Sequence, residues 1–562
     1  MSSADTIIYS TKIYPGFGDA LISGGIVIKG DYILAVGSRE EIDCYSRDAE
    51  IIDYGNLPVV PGFIDSHQHY PMNILMETTG FELYDAPSPE FCAEAARKAL
   101  AAHPDAPVIY AMGWQLNNWE ACDIKPNRHM LDEVTSEKPI CLGSDDGWTF
   151  WVNSKALEFM DFRKGNIPDD LKGLIQVDKD GEPTGILNGN AASKAFYIIN
   201  YLPQKDSEKI AKAAFSKYIE YGVTSFGEVS NEFNKCDREI GTFDLMERLY
   251  SGKDGGKIPR MFYYPCIGRD GDFTTVDKLR NRYLPDVIDP ALKDKIELRG
   301  LKGYIDGVMS LNTSVMLCDY LTEPKNGIPI YTQEALNTLV AKANAEGYAV
   351  RIHATGDGGV RMCLDAYEYS IQQNGRHGLR NCIEHIESCS EEDRKRFKEL
   401  DVIAAINPGH AILEENLENI ISEKTFYNLH PFRGLLDQGA VVSLSTDAPI
   451  VTCNPMFTIY AAVTRCDENG KLMLPKPNET MTIWEALEGY MARSAYTMGV
   501  EDRIGILEAG KLADIAVLDT DITSVKNPEE ILHTKVIATY LSGKNIFNVK
   551  KNNPSPPDQI TV

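Results

Sequence analysis

His67 and His69 stand two residues apart at the end of an apolar run, Val59-Val-Pro-Gly-Phe-Ile-Asp-Ser-His-Gln-His69. In an extended strand, side chains at i and i+2 lie on one side, so both imidazoles could share one metal ion. Alone, a His-x-His pair is as readily two hydrogen-bonded polar residues at a strand end. Its place behind an apolar run favours the metal reading. His353 in Val350-Arg-Ile-His353 and His385 in Asn381-Cys-Ile-Glu-His385 lie in runs that read as buried strands. An unpaired polar group there costs on the order of 1–3 kcal/mol, so each needs a partner. Together with the first pair they favour a second metal position.

Lys302 lies in another apolar run. A buried ammonium is normally excluded by desolvation, so one reading is an ion pair with Asp306 or Glu228. The other is a carbamylated lysine, whose carboxylate could bridge two divalent ions. Spacing does not choose between them. Asp447, in Ser443-Leu-Ser-Thr-Asp-Ala-Pro449, could take a proton from an activated water and pass it to a leaving amine. It could also be a helix N-cap before Pro449.

These residues need elements that converge. Eight brief β-rich runs, at 59–66, 223–229, 261–267, 296–305, 349–353, 381–387, 402–407 and 441–445, end in polar or glycine residues. Helix-length stretches such as 332–346 and 358–373 separate the later ones. Strands alternating with helices predict a parallel α/β sheet, and eight fit a TIM (β/α)8 barrel, in which catalytic groups gather at the carboxyl ends of the strands. His67, His69, His353, His385 and Asp447 fall at or near such ends. The barrel is expected over 59–495. The long interval after its first strand predicts an inserted subdomain at about 75–210. That insert holds Trp114, Trp119, Trp148 and Trp151, four of the five tryptophans, which form its core or in part face the barrel mouth. Short strands at 1–58 and 496–549 are expected to pair as one small β-sandwich, followed by a polar tail at 550–562.

Composition narrows the class. Hydrophobic residues make up 43% and charged residues 25% of the 562, as in ordinary globular proteins. Lys plus Arg is 56 against Asp plus Glu 82, a net charge of −26 that opposes binding to nucleic acid or anionic lipid. The 12 cysteines include no Cys-x-x-Cys pair, and no basic, apolar leader or long apolar run occurs. A cytoplasmic protein is expected, without a membrane partner. A second copy of the chain, as a homodimer, is a candidate partner.

The chain resembles the amidohydrolase superfamily, and within it the branch of N-substituted formamide deformylases. The resemblance rests on Pro61-Gly-Phe-Ile-Asp-Ser-His-Gln-His69, Gly222-Val-Thr224, Lys302-Gly-Tyr-Ile-Asp-Gly307, His353-Ala-Thr-Gly-Asp357, Ile383-Glu-His385, Asn407-Pro-Gly-His410, Thr446-Asp-Ala-Pro449 and Gly510-Lys-Leu-Ala-Asp514. It implies that His67 and His69 bind one metal ion, His353 and His385 another, that a carbamylated Lys302 bridges them, and that Asp447 is the base. His410 would approach the substrate; Trp114, Trp148 and Asp306 are further candidate substrate contacts. The metal expected is zinc, as one or two ions. Two departures, Asp146-Gly147-Trp148 where the branch has Asp-Gly-His and the lack of a glutamate near Gly189, fall in the insert and bear on the substrate.

The expected reaction is hydrolysis of an amide-like C–N bond in a small molecule by metal-activated water. Deamination of a heterocycle is the nearest rival, but such relatives carry His-x-x-Glu where this chain reads His353-Ala-Thr-Gly356. A non-catalytic scaffold would be expected to lose ligands, and here every ligand position is filled.

Overall fold

The computed structural model describes residues 4–549 apart from 85, 116–118, 120–124, 145–146, 148, 197, 230–236, 268–272, 283–286, 413–416 and 475–477. The chain divides into two compact units, Met1–Gln68 with Tyr218–Ser230 and Lys253–Val562, and His69–Lys217 with Asn231–Gly252.

In the first unit both ends of the chain share one eight-stranded sheet. Thr6–Ile13, Ile22–Lys29, Tyr32–Ser38, Glu50–Asp53 and Pro58–Pro61 come from the start, and Ile515–Leu518, Val536–Leu541 and Lys544–Asn548 from the end. Pro58–Pro61 joins them, pairing parallel to Thr6–Ile13 and antiparallel to Ile515–Leu518. Ile8, Ile26, Val59, Ile515 and Val517 alternate onto a buried face of this sheet. The last strand was not anticipated; it returns through Ser542 and Gly543, both with positive φ, as a two-residue hairpin requires.

The apolar run expected as one strand at 59–66 is two strands. Pro61 ends the first and Phe63–Gln68 begins a parallel sheet, so the chain changes sheets at Gly62. Pro61 has no N–H to extend the ladder. The Gly62 N–H turns to Asp514 O at 2.9 Å, and a Cβ at Gly62 would lie 2.3 Å from Thr224 Oγ1. The run at 296–305 is also broken. The Arg299 N–H bonds Tyr263 O at 3.0 Å and its Nε bonds Met498 O at 2.8 Å, which separates Ile296–Leu298 from Gly300–Tyr304.

The parallel strands therefore form two arcs in place of the single ring expected. One runs Ile296–Leu298, Arg260–Tyr264, Val223–Val229, Phe63–Gln68. The other runs Gly300–Tyr304, Ala349–Ala354, Cys382–His385, Ile403–Ile406, Val442–Leu444. Isolated parallel bridges, Cys266 with Lys302 and Gln68 with Ala448, link the arcs, and no closed sheet forms among the described residues. The architecture is a mixed α/β fold of TIM-barrel type. Helices Gln333–Ala345 and Asp357–Asn374 lie close to the expected spans; Thr332 Oγ1 caps the first by accepting the Ala335 N–H, and Gly375, at φ 78°, ends the second.

The second unit carries a six-stranded sheet ordered Ile175–Val177, Pro183–Asn188, Thr149–Val152, Ile140–Ser144, Ile109–Trp114, Phe81–Glu82. Trp114, Trp119 and Trp151 are buried in its core with Ala96, Ile140 and Leu142. Trp114 stacks on Trp119 with centroids 4.8 Å apart, and its indole N–H donates to Leu142 O at 2.8 Å.

Candidate active site

Because the strands of both arcs run parallel, their carboxyl ends lie at one end of the first unit. His67 is the penultimate residue of Phe63–Gln68, His353 that of Ala349–Ala354, and His385 the last of Cys382–His385. His410 lies in the turn Pro408–Ile412 after the next strand, and Asp447 three residues beyond Val442–Leu444. No helix starts at Pro449, so Asp447 does not cap one; the next begins at Pro455. His385 and Asp447 have φ of 73° and 59°. Left-handed backbone at two non-glycine residues is a strained choice that tends to mark functional sites, and it re-aims side chains that plain alternation would direct elsewhere.

His67, His385 and Asp447 each offer a ligand atom within 4.8 Å of the others, and all three are buried. Asp447 Oδ1 lies 3.1 Å from His67 Nε2, and Oδ2 lies 3.8 Å from His385 Nδ1 and 3.5 Å from His410 Nε2. Two imidazoles and a carboxylate suit a divalent ion such as zinc, so the residues present fit the metal that the sequence implies. The rings of His67 and His385 are 5.0 Å apart and those of His353 and His385 4.5 Å. His410 stacks on His385 at 5.7 Å, and its Nδ1 faces Glu387 Oε1 at 3.3 Å.

Lys302 is fully buried, with Nζ 3.3 Å from His67 Nε2 and 4.9 Å from the centre of the Tyr304 ring. Burial pulls its ammonium down to about 8, against the opposing pull of Glu384 and Asp447. Burial likewise lowers His353 to about 4, helped by Lys302, and lowers His385 well below the usual imidazole range, helped by His353. Both are therefore neutral imidazoles at pH 7, the form that ligates a metal.

Asp306 organises the loop after Gly300–Tyr304. It accepts the backbone N–H groups of Val315, Thr355 and Gly356 at 2.9, 3.1 and 3.0 Å and lies 3.6 Å from His353 Nε2. Burial raises it to about 7 despite those donors. The His353 Nε2 also lies 3.0 Å from Gly307 O. His69 sits one residue past its strand, as the residue preceding helix Tyr70–Met76, and is not in the three-residue group. Trp114 belongs to the core of the second unit, and Trp148 lies outside the described residues.

Several residues here carried no assigned role from sequence. Glu384 is fully buried with Oε2 2.7 Å from His67 Nδ1, and its other oxygen accepts from Arg351 Nε and, at 3.1 Å, from Cys382 Sγ. Burial alone would raise Glu384; Arg351 and then His67 hold it well below the carboxylate range instead. Asp65 accepts the Thr446 N–H at 3.1 Å and its hydroxyl, anchoring the segment that carries Asp447. Asn407 Oδ1 lies 2.8 Å from His385 Nδ1. Opposite charges at Arg351 and Glu384, in neighbouring buried strands, were the available signal.

Parallel strands that bring buried imidazoles and carboxylates to one end define a hydrolase site able to hold a metal ion. A model of the amidohydrolase family matches residues 50–547, and the chain belongs to that family. It is a hydrolase of C–N bonds other than peptide bonds. It is 27% identical over 559 residues to the protein LONG AFTER FAR-RED 3 of Arabidopsis thaliana, covering 97% of this chain and 92% of that protein. It is 26% identical over 537 residues to the N-substituted formamide deformylase of Arthrobacter pascens, covering 92% and 94%. Among solved structures, an uncharacterized metal-dependent hydrolase from Pyrococcus horikoshii OT3 superposes with a TM-score of 0.73 at 24% identity, over 93% of this chain and 98% of that one, a likeness of fold.

Proposed function

We propose that the protein hydrolyses an amide-like C–N bond of a small molecule, with a divalent metal ion held by His67 and His385 beside Asp447 and with Asp447 as the base. The observation that carries this is the buried approach of these three side chains to within 4.8 Å. His353 and Lys302 lie on neighbouring parallel strands of the same unit and are the residues that a second ion would use, with Lys302 as a carbamate. A bound divalent ion supplies Lewis acidity, polarising a carbonyl and making water acidic enough to react at neutral pH.

The remaining work falls to the chain. Asp447 accepts a proton at a carboxylate oxygen from the attacking water and returns it to the departing nitrogen, so that an amine leaves in place of an amide anion. His410, 3.5 Å from Asp447 Oδ2 and facing Glu387 through its other nitrogen, steadies that carboxylate. Asp306 fixes the backbone around His353 and the loop that follows Lys302. The relative from Arthrobacter pascens is named for N-substituted formamides, which makes these the first substrates to test. Amine release from a panel of N-formyl, N-acetyl and cyclic amides by zinc-loaded protein is the test. Cleavage of one amide class is expected; ammonia released from heterocycles with no amide cleaved would overturn the proposal.

A further inference from the structure

We infer that Glu384 and Arg351 are positioning residues that hold the proton of His67 on Nδ1, so that Nε2 keeps its lone pair for the metal. This rests on His67 being a ligand, as proposed above.

Glu384 has both oxygens occupied. One accepts from Arg351 Nε and Cys382 Sγ, and the other lies 2.7 Å from His67 Nδ1. A guanidinium is permanently charged, and the carboxylate it holds can only accept. The hydrogen between Glu384 and His67 therefore belongs to Nδ1. A histidine that ligates a metal is a neutral imidazole with one N–H, so in that role the lone pair of His67 is on Nε2. That nitrogen faces Lys302 Nζ at 3.3 Å and Asp447 Oδ1 at 3.1 Å, groups of the candidate metal site.

Arg351 is an odd residue for a purely structural task. It is fully buried, yet Nη1 and Nη2 have no hydrogen-bond partner among the described residues, and the guanidinium lies 4.5 Å above the Tyr264 ring. An arginine kept for packing alone would leave costly donors unsatisfied to no purpose. Here its Nε donates to the carboxylate that touches His67. The chain Arg351, Glu384, His67 also crosses from one arc of parallel strands to the other, so a local contact sets a ring on a strand not hydrogen-bonded to its own. A carboxylate behind a ligating histidine is a recurrent way of fixing its tautomer.

Glu384→Gln keeps the shape and reverses the hydrogen bond. With its amide oxygen still held by Arg351, its N–H groups face Nδ1, and the ring must move its proton to Nε2. The full-length chain, stripped with a chelator, is titrated with zinc, and its histidine nitrogens are read by NMR in the zinc-loaded state. Glu384→Gln is expected to weaken zinc binding by about 10–100-fold, and Arg351→Met to weaken it in the same direction. In the zinc-loaded wild type, His67 should carry its proton on Nδ1. Wild-type zinc affinity in Glu384→Gln, or a proton on Nε2 in the wild type, would overturn the inference. The wild-type spectrum decides alone if the variants do not fold. His67→Ala separates the two levels: if it leaves zinc affinity unchanged, the metal-site proposal falls; if it weakens zinc while Glu384→Gln does not, only the positioning role falls.

Discussion

Asp447 touches three imidazoles through its two oxygens, and its backbone N–H donates to His67 O at 2.9 Å. A carboxylate so placed can both face a metal ion and move a proton. Asp447→Asn keeps the shape and removes the basicity. At saturating zinc, kcat is expected to fall by about 10²–10⁴-fold, with the folded protein and its metal content retained. Steady-state kinetics beside metal analysis checks this, and unchanged kcat would remove Asp447 as the base. At this scale the sequence singled out residues that the structure brings together and was poor about what holds them. His67, His385 and Asp447 were identifiable because polar residues at strand ends stand out. Glu384, Asp65 and Asn407 were not, because their roles depend on partners 20 to several hundred positions away.

At the scale of elements, two places decide the architecture. Gly62 lets the chain pass from the terminal sheet to the parallel one against Thr224, and the apolar pattern of 59–66 gives no sign of that change, since both strands are buried. Gly62→Ala should destabilise by about 1–3 kcal/mol through overpacking, read as a lower thermal midpoint. An unchanged midpoint would mean that the threonine yields freely. The helix Ile483–Tyr490 begins with a capping box in which Glu485 answers Thr482 and also pairs with Arg433. Although burial opposes it, these bonds lower Glu485 to about 2. Its unfolded value is near 4.5, so its stabilising share is present above that pH and lost as pH falls from about 4.5 toward 2. Glu485→Gln should therefore lower the midpoint at pH 7 and differ little from wild type at pH 2.5. An equal deficit at both would contradict the assignment. Helix spans such as 333–345 were legible because periodicity and a threonine cap coincide; the break at Arg299 was not, since it depends on carbonyls near residue 498.

At the scale of the molecule, strands from distant parts of the chain supply the site, so an ion shared by His67 and His385 would bind the folded chain far better than the unfolded one. Removing it should lower the thermal midpoint, with about 2.7 kcal/mol at stake when free zinc is a hundredfold above Kd. A scan with and without chelator reads this, and coincident midpoints would speak against a tightly held ion. Two short β segments at opposite termini led to the expectation of one small sandwich; the structure puts their strands in one eight-stranded sheet. How the ring of strands divides was not, because hydrogen bonding between arcs is settled by tertiary contacts. The most direct test of the central claim is amine release from N-substituted amides by metal-stripped full-length protein as zinc is added back. The account predicts negligible turnover at first, activity rising in proportion to bound zinc, and no recovery in a His67→Ala, His385→Ala double variant. Full turnover by the stripped protein, or wild-type recovery in that variant, would contradict it.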